Sequence, residues 1–328
     1  MVLGAPPCIA FASAQKVPES LDELQVAGAL AGMPINVVKA KTVDLYVPAE
    51  AEIVIEGLID TEFLEPEAPF GESHGHVNLQ EYNAFMEVTA ITRRKDAILT
   101  SIISQVTPSE SSLIKRVALE PLFTDFLRNT LAIRGVKRVS MHEPLTNLRK
   151  VVAIVVERGT PSTEIWRALY GAAFFKGDCG KITIAVNDDI DPDNADHLLW
   201  AMSYRANPAL DIQILQHRDQ GHGPRSKRNN GEDASVLIDA TMKEDFPPIS
   251  LPKREYMERA KVIWEELGLP KLKPQAPWFG YTLGEWPDEL EHAAQLAVAG
   301  EYFKTGEELA KRRRNDVPMN TEVRELKK

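Results

Sequence analysis

The stretch "LRKVVAIVVERGTPSTEIWRALYGAAFFKGDCGKITIAVNDDI", residues 148–190, contains a strand, a helix and a second strand in that order. "VVAIVV" and "ITIAV" are short apolar runs rich in β-branched residues, which are typical of buried strands. "TEIWRALYGAAFF" between them has the composition and spacing of a helix. Strands that alternate with helices predict an α/β domain in which helices cover the sheet.

The same pattern continues on both sides of this stretch. "VKRVSMHEP" before it and "DIQILQH" after it read as strands, and "NADHLLWAMSYRA" reads as a helix. Further upstream, "SESSLIKRVALEPLFTDFLRNTLA" has apolar residues at helical spacing. We expect that helix to have one broad apolar face, formed by Leu113, Val117, Leu122, Phe123 and Phe126.

The regions before Pro108 and after residue 250 differ from this centre. A helix over Leu21 to Ala31 is followed by strand-like pieces in "INVVKAKTVDLYVP", "AEIVIEGLI" and "AFMEVTAITRRKDAILTSIIS", the last read as two strands. These short strands predict a barrel or a packed sheet. Near the other end, "YMERAKVIWEELGLP" predicts an amphipathic helix that Gly268 and Pro270 end. The tail beyond it predicts a helical arm.

Composition excludes several classes of protein. The chain has 328 residues, of which 44% are hydrophobic, and a net charge of -10. This charge argues against a nucleic-acid or anionic-membrane binder, and the basic run "KRRR" at 311–314 fits the last turn of a helix. No apolar run reaches the roughly 18 residues of a membrane span. Two distant cysteines, Cys8 and Cys179, predict a reducing cytoplasm.

A loop of the N-terminal region concentrates potential metal ligands. "EPEAPFGESHGHVN", residues 65–78, holds three acids and two histidines, which are Glu65, Glu67, Glu72, His74 and His76. Carboxylate oxygens suit Mg²⁺ or Mn²⁺, whereas imidazole favours a transition metal. The residues alone leave two interpretations open: a metal site, or a polar turn whose acids face water.

Two other motifs are candidates for chemistry. Glu110 in "TPSESS" lies where a strand gives way to a helix. It is either an acid favoured by the helix dipole or a general acid whose pKa is raised by burial. The second motif, "GHGPRSKRNNG" at 221–231, joins glycines to Arg225, Lys227 and Arg228, which suits a phosphate site or an exposed loop. The acidic "NDDIDPDN" at 187–194 fits a solvated loop better than a calcium site.

Taken in order, these motifs resemble the UbiD family of decarboxylases. "PEAPFGESHGHV", "ITRRKDAILTSIIS", "TPSESSLIKRVALE", "KITIAVNDDIDPDNADHLLWAMSYRANP", "GPRSK…LIDAT" and "VIWEELGL" carry the resemblance, which covers at least residues 1–270. It implies reversible non-oxidative decarboxylation of a small aromatic or α,β-unsaturated acid. It also implies prenylated FMN as the cofactor, held through its phosphate by Mn²⁺, with K⁺ nearby.

The resemblance assigns a role to one residue in each of three motifs. Glu67 resembles the metal-ligating glutamate of the family, and Glu110 resembles its catalytic acid. Lys227 resembles the lysine that contacts the cofactor phosphate. The family pairs its catalytic acid with a second acid, and Gln105 occupies that position here. The family's other metal ligands, an Asn and a His, and its catalytic Arg precede the segment with which this sequence begins.

These observations together predict a mixed α+β and α/β fold. An incomplete split β-barrel domain for flavin and metal is expected over residues 1–125, an α/β domain over 126–250 and a helical oligomerisation arm over 251–328. We expect a homo-oligomer, or a complex with a full-length or complementary UbiD-type subunit, and no activity from this chain alone. Two alternatives are a non-catalytic assembly subunit and a metal-dependent hydrolase that uses Glu67, His74 and His76.

Overall fold

The computed structural model divides the chain into two compact units, Met1–Lys243 and Glu244–Lys328. It describes residues 1–14, 17, 19–67, 69–77, 82–143, 149–219, 232–247, 250, 252, 254–272, 288–313, 315–318 and 321. Lys227 and the rest of the 221–231 motif lie outside these residues, so the predicted phosphate contact stays a prediction.

The first half of the first unit is rich in short strands, as the sequence predicts. Its elements are β1 (Val2–Leu3), α1 (Pro7–Ser13), α2 (Glu23–Ala31), β2 (Val37–Lys39), β3 (Tyr46–Pro48), β4 (Ile53–Ile59), β5 (Glu65–Pro66), β6 (Tyr82–Asn83) and β7 (Met86–Arg93). Strands β1, β4 and β7 form an antiparallel sheet, while β2 pairs with β3 and β5 pairs with β6. Among the described residues, no sheet closes into a barrel.

A buried acid joins the main sheet of this half to the β2–β3 hairpin. Glu56 on β4 is buried, and its carboxylate accepts hydrogen bonds from the backbone N–H groups of Lys41 and Thr42 at 2.6 to 2.9 Å. These hydrogen bonds lower the pKa of Glu56, because they stabilise its charged form. The acid therefore fixes the loop between β2 and β3 to β4.

One strand expected in this half is absent. "DAILTSIIS" alternates in a way that predicted a second strand after β7, but residues 97–105 have no strand partner in the described structure. The ladder of β7 is made with β4 on one side. A strand exists through its ladder, so a suitable pattern without a neighbouring strand produces only an extended segment. Ile98, Leu99 and Ile102 are exposed as a result.

The α/β half of this unit confirms the prediction from residues 148–190. Its elements are α3 (Glu110–Asp125), a π-helix (Phe126–Thr130), β8 (Val136–Met141), β9 (Val151–Val156), α4 (Ser162–Phe175), β10 (Ile182–Asn187), α5 (Ala195–Arg205), β11 (Ile212–Arg218) and β12 (Asp233–Asp239). The sheet order is β11-β12-β10-β9-β8, with β9, β10 and β12 parallel and the two edge strands antiparallel.

Helices cover both faces of this sheet. Val152 and Ile154 on β9 pack in one hydrophobic cluster with Leu169 of α4, whereas Val155 lies in the other cluster with Leu198 of α5. Alternate side chains of β9 therefore face opposite helices, which explains why the strand is apolar at every position.

Helix α3 lies along the free edge of β8, and its buried face agrees only in part with the predicted one. Phe123 is buried and Phe126 packs against the core as expected, whereas Leu113 and Val117 are exposed and Leu119 is buried in addition. The backbone N–H groups of an edge strand need acceptors. The hydroxyl of Thr124 accepts from the N–H of Val139 at 3.0 Å and the carboxylate of Glu120 accepts from that of Met141 at 2.8 Å. These two contacts turn the polar side of the helix inward.

The acidic loop after β10, which we expected to be a solvated loop, is held by ion pairs to its neighbours. Asp189 forms hydrogen bonds of 2.9 and 2.5 Å with Arg205, whose side chain is fully buried. Asp193 pairs with Arg116 of α3, and Asp188 pairs with Lys137 of β8 at 2.5 Å. The acids thus connect α3, β8 and α5 to one loop.

The second unit is helical in its described part. It contains α6 (Arg254–Glu266), α7 (Asp288–Val298) and α8 (Tyr302–Lys311). Gly268 follows α6 with a φ of 65°, which confirms the predicted end of this helix. The basic run begins in the last turn of α8, where Lys311 lies as expected. Within the described ranges, no helix combines the length and the apolar character that crossing a membrane requires.

Candidate active site

The start of α3 places Glu110 at a defined position. Ser109 caps the helix, and Glu110 is its first residue. The cap is reciprocal: the N–H of Ser112 donates to the hydroxyl of Ser109 at 3.3 Å, and the N–H of Ser109 donates to that of Ser112 at 2.9 Å. The prediction that Glu110 lies at or just inside a helix start is confirmed.

Glu110 itself is exposed among the described residues, so the structure does not show the burial that one of its two interpretations included. Its Oε2 accepts a hydrogen bond from the N–H of Ile103 at 2.8 Å. The next residue, Ser111, shares a hydrogen bond of 2.8 Å with the hydroxyl of Ser104. These contacts hold the carboxyl group over the extended segment that precedes the helix and leave its other oxygen open.

The loop that carries Glu67 is supported by a short hairpin. Glu67 follows β5, and its Oε2 accepts a hydrogen bond from the side-chain amide of Asn83 on β6 at 2.7 Å. Further along the loop, His74 is buried and its Nδ1 accepts the N–H of His76 at 3.2 Å. His76 is exposed. The loop therefore uses one ring nitrogen of His74 to stabilise its own backbone.

The structure brings this loop against the segment that precedes Glu110. A side chain at Gly71 would place its Cβ 2.4 Å from the carbonyl oxygen of Ser104, and one at Gly75 would place it 2.9 Å from the Cα of Val106. Gly75 also has a φ of 84°, which other residues rarely adopt. The two glycines thus allow the Glu67 loop and the Glu110 segment to form one region.

Lys115 makes a second connection within this region. Its Nζ donates to the hydroxyl of Ser73 at 2.7 Å, so that α3 is bonded to the loop. Burial lowers the pKa of Lys115, and the positive charge of Arg149 lowers it further. Sequence analysis missed this residue, because the contact joins positions 42 apart in two separate motifs and nothing in either motif indicates that they meet.

The described residues do not complete a metal site. Among them, no group of three or more His, Cys, Asp or Glu side chains is placed to hold an ion. Mn²⁺ prefers several oxygen or nitrogen ligands, and Glu67 supplies one carboxylate. The hydrolase alternative required Glu67, His74 and His76 to act together, and the structure gives it no support.

Comparison with known proteins identifies the two halves of the first unit. Residues 1–106 match the profile of the 3-octaprenyl-4-hydroxybenzoate carboxy-lyase Rift-related domain, called UbiD. Residues 114–240 match the 3-octaprenyl-4-hydroxybenzoate carboxy-lyase C-terminal domain, UbiD_C. The boundary between the two matches falls at the start of α3, where Glu110 lies.

Solved structures of this class have a similar fold. An evolved dimeric form of the UbiD-class enzyme HmfF from Pelotomaculum thermopropionicum, in complex with prFMN, is 28% identical, with a TM-score of 0.65 over 76% of this chain and 54% of that chain. The vanillic acid decarboxylase of Sedimentibacter hydroxybenzoicus in its closed form is 24% identical, with a TM-score of 0.66 over 80% of this chain and 57% of that chain, and it supports the fold alone.

The chain therefore spans just over half the length of the structures that it matches. Its sequence motifs, its two domain matches and its fold agree with one another, and the chain belongs to the UbiD family of carboxy-lyases.

Proposed function

We propose that this chain contributes to the decarboxylation of a small aromatic or α,β-unsaturated carboxylic acid with prenylated FMN. The observation that carries the proposal is the contact between the Glu67 loop and the Glu110 segment, made through Gly71 and Gly75. Membership of the UbiD family supports the reaction type, and the complex of HmfF with prFMN supports the cofactor.

In this proposal Glu110 is the proton donor. Loss of CO₂ leaves an electron pair on the substrate carbon, for which bound prenylated FMN would supply an electron sink. A proton must then reach the carbon, and the carboxyl group of Glu110 delivers it. Ile103 holds Oε2 through its N–H, so the other oxygen faces the substrate. Because Glu110 is exposed in the described structure, water can return the proton after each turnover.

The remaining sites extend the proposal. Glu67 is one ligand of Mn²⁺, with K⁺ nearby, and Lys227 contacts the cofactor phosphate. Since no group of three possible ligands is placed to hold an ion among the described residues, the other metal ligands come from outside them, and the proposal includes no activity from this chain alone. Residues 1–125 belong to a split β-barrel for the flavin, residues 126–250 to the α/β domain, and residues 251–328 to an arm for oligomerisation. The cytoplasm is the proposed compartment, in keeping with the free thiols of Cys8 and Cys179.

Glu110→Gln tests the role of this residue. The protein, co-expressed with a complementary UbiD-type chain and a prenyl-flavin synthase and purified as the complex, is incubated in D₂O with aromatic and conjugated acids, and NMR follows deuterium incorporation at the carbon that loses CO₂. General acid catalysis contributes about 10²- to 10⁴-fold, so we expect Glu110→Gln to lose that factor while flavin absorbance is kept. Glu164→Gln, in an exposed pair with Arg167, is the control. Equal rates for Glu110→Gln and the wild type would refute the role of Glu110.

A second candidate is the non-catalytic assembly subunit. The incomplete set of metal ligands in the described residues favours it. Such a subunit would co-purify with a homologous UbiD-type chain, and the turnover of that complex would be unaffected by Glu110→Gln. The same deuterium measurement on the co-purified complex therefore separates the two functions.

A further inference from the structure

The capping box of α3 has an unusual composition. In such boxes the residue three positions after the cap is commonly Glu or Gln. Here that position is Ser112, and the carboxylate is provided by another part of the fold. The hydroxyl of Ser112 donates a short hydrogen bond to Oε1 of Glu143, which lies two residues after β8 and 31 positions along the chain. Ser112 is fully buried and Glu143 is 2% exposed.

Three consecutive residues in the first turn of α3 bond to two different segments of the chain. Glu110 accepts from Ile103 and Ser111 bonds to Ser104, both in the extended segment that has no strand partner. Ser112 bonds to Glu143, at the end of a strand in the α/β sheet. Among these contacts, the one with Glu143 connects the first turn to the five-stranded sheet.

The rest of the helix has its own anchors. Phe123 is packed in the core, and Glu120 accepts from the backbone of β8 at 2.8 Å. Removing Glu143 therefore frees the first turn without removing the contacts that hold the C-terminal half of α3. A hydrogen bond between a carboxylate and a buried hydroxyl is stronger than one between neutral groups. Its loss should therefore destabilise the capping box.

We propose that Glu143 is a positioning residue for Glu110. Through Ser112 it fixes the capping box, and the capping box fixes the direction in which the carboxyl group of Glu110 points. This inference rests on the proposed role of Glu110 as proton donor, because the position of its carboxyl group matters only if that group reacts.

The test uses the amide resonance of Ile103 in ¹H–¹⁵N spectra of the complete chain. A hydrogen bond to a carboxylate moves an amide proton downfield, so this resonance reports whether Glu110 is in place. In Glu143→Ala we expect it to move upfield, towards its position in Glu110→Ala. Ser112→Ala, a smaller change, should move it in the same direction, while Glu143→Gln, which keeps an acceptor, should restore most of the wild-type position.

Glu56→Ala is the matched control, because Glu56 is also a buried acid that caps backbone N–H groups in this unit, far along the chain from α3. The proposal is overturned if the Ile103 resonance stays in place in both Glu143→Ala and Ser112→Ala, or if Glu56→Ala moves it as far. It is also overturned if the amide of Leu119 loses its protection from exchange together with Ile103, since Glu143 would then support the whole helix.

A kinetic arm separates this inference from the proposed function. Misplacement of a catalytic group by about 1 Å can cost roughly 100-fold in rate. In catalytically active preparations, Glu143→Ala should therefore lower kcat by about 10- to 100-fold and leave KM unchanged. If the Ile103 resonance moves but kcat does not, Glu143 positions Glu110 and Glu110 is not the proton donor. That result rejects the proposed role of Glu110 as proton donor. It also rejects a catalytic effect of the positioning by Glu143.

Discussion

At the scale of single residues, burial affects the reactivity of the two cysteines differently. Cys179 is buried beside Asp178, and burial raises the pKa of its thiol to about 12. The thiolate is the form that reacts with alkylating reagents, so Cys179 is inert at neutral pH. Cys8, in α1, is partly exposed to solvent.

This contrast gives a prediction about the native protein. Treatment with iodoacetamide at about pH 7.5 should modify Cys8 and leave Cys179 unmodified, and mass spectrometry of tryptic peptides measures both sites. Denaturation with guanidinium before treatment should make both thiols reactive, which serves as the control. Modification of Cys179 at the rate of Cys8 in the folded protein would show that the strand β10 region opens readily.

At the scale of secondary-structure elements, helix α3 shows which of its apolar residues pack in the core. Phe123 is fully buried and its ring lies 4.7 Å from that of Phe175, edge to face. Val117, six residues earlier, is 59% exposed. The energetics of these two side chains should therefore differ sharply although both are apolar and belong to one helix.

Substitution by alanine tests this assignment. Phe123→Ala should lower the free energy of unfolding by about 3 to 5 kcal/mol, because it removes a buried ring and leaves a cavity. Val117→Ala is the matched control and should change it by less than about 0.5 kcal/mol. Denaturant titration followed by circular dichroism measures both. Similar losses for the two variants would mean that Val117 is buried together with Phe123, as the sequence predicted.

The elements also show which features of the fold can be predicted from the sequence. Strands β9 and β10 and helix α4 were predictable because the strands are buried over most of their length, α4 buries one apolar face, and their apolar patterns are strong. The face of α3 was predictable only in part, because Ser112 and Glu120 turn inward to bond with Glu143 and with β8. A hydrophobic pattern carries no information about such polar contacts.

The sequence indicates candidate residues for the site, but it does not indicate which residues they contact. Glu67 and Glu110 stood out through motifs, and the family resemblance gave them roles. The contact of Lys115 with Ser73 joins positions 42 apart, and that of Ser112 with Glu143 joins positions 31 apart. Such contacts depend on how the two halves of the unit pack, and no local signal in the sequence specifies that.

At the scale of the whole molecule, buried histidines make stability depend on pH. Burial lowers the pKa of both His142 and His197 below the value of about 6.5 that an unfolded chain shows. Below about pH 6.5 the unfolded chain therefore binds protons that the folded chain does not bind. Folded stability should rise with pH through this window and be lost as pH falls.

We expect the free energy of unfolding to fall between about pH 7 and pH 5. Urea titrations at fixed ionic strength across this range measure it, and the double variant His142→Asn, His197→Asn should show a shallower slope. His217, which is exposed and pairs with Glu232 at 2.5 Å, provides the control variant His217→Asn. A stability that stays level or rises on acidification would contradict the burial of the two histidines.

The central claim concerns the Glu67 loop and the Glu110 segment, which are in contact: we propose that they form one region of a site for prenylated FMN and metal, which the described residues do not complete. The most direct test is the visible absorption spectrum and manganese content of the chain, purified alone after co-expression with a prenyl-flavin synthase. The account predicts well under one flavin and one manganese per chain. One of each, with turnover of a conjugated acid, would contradict it, because the site would then be complete in this polypeptide.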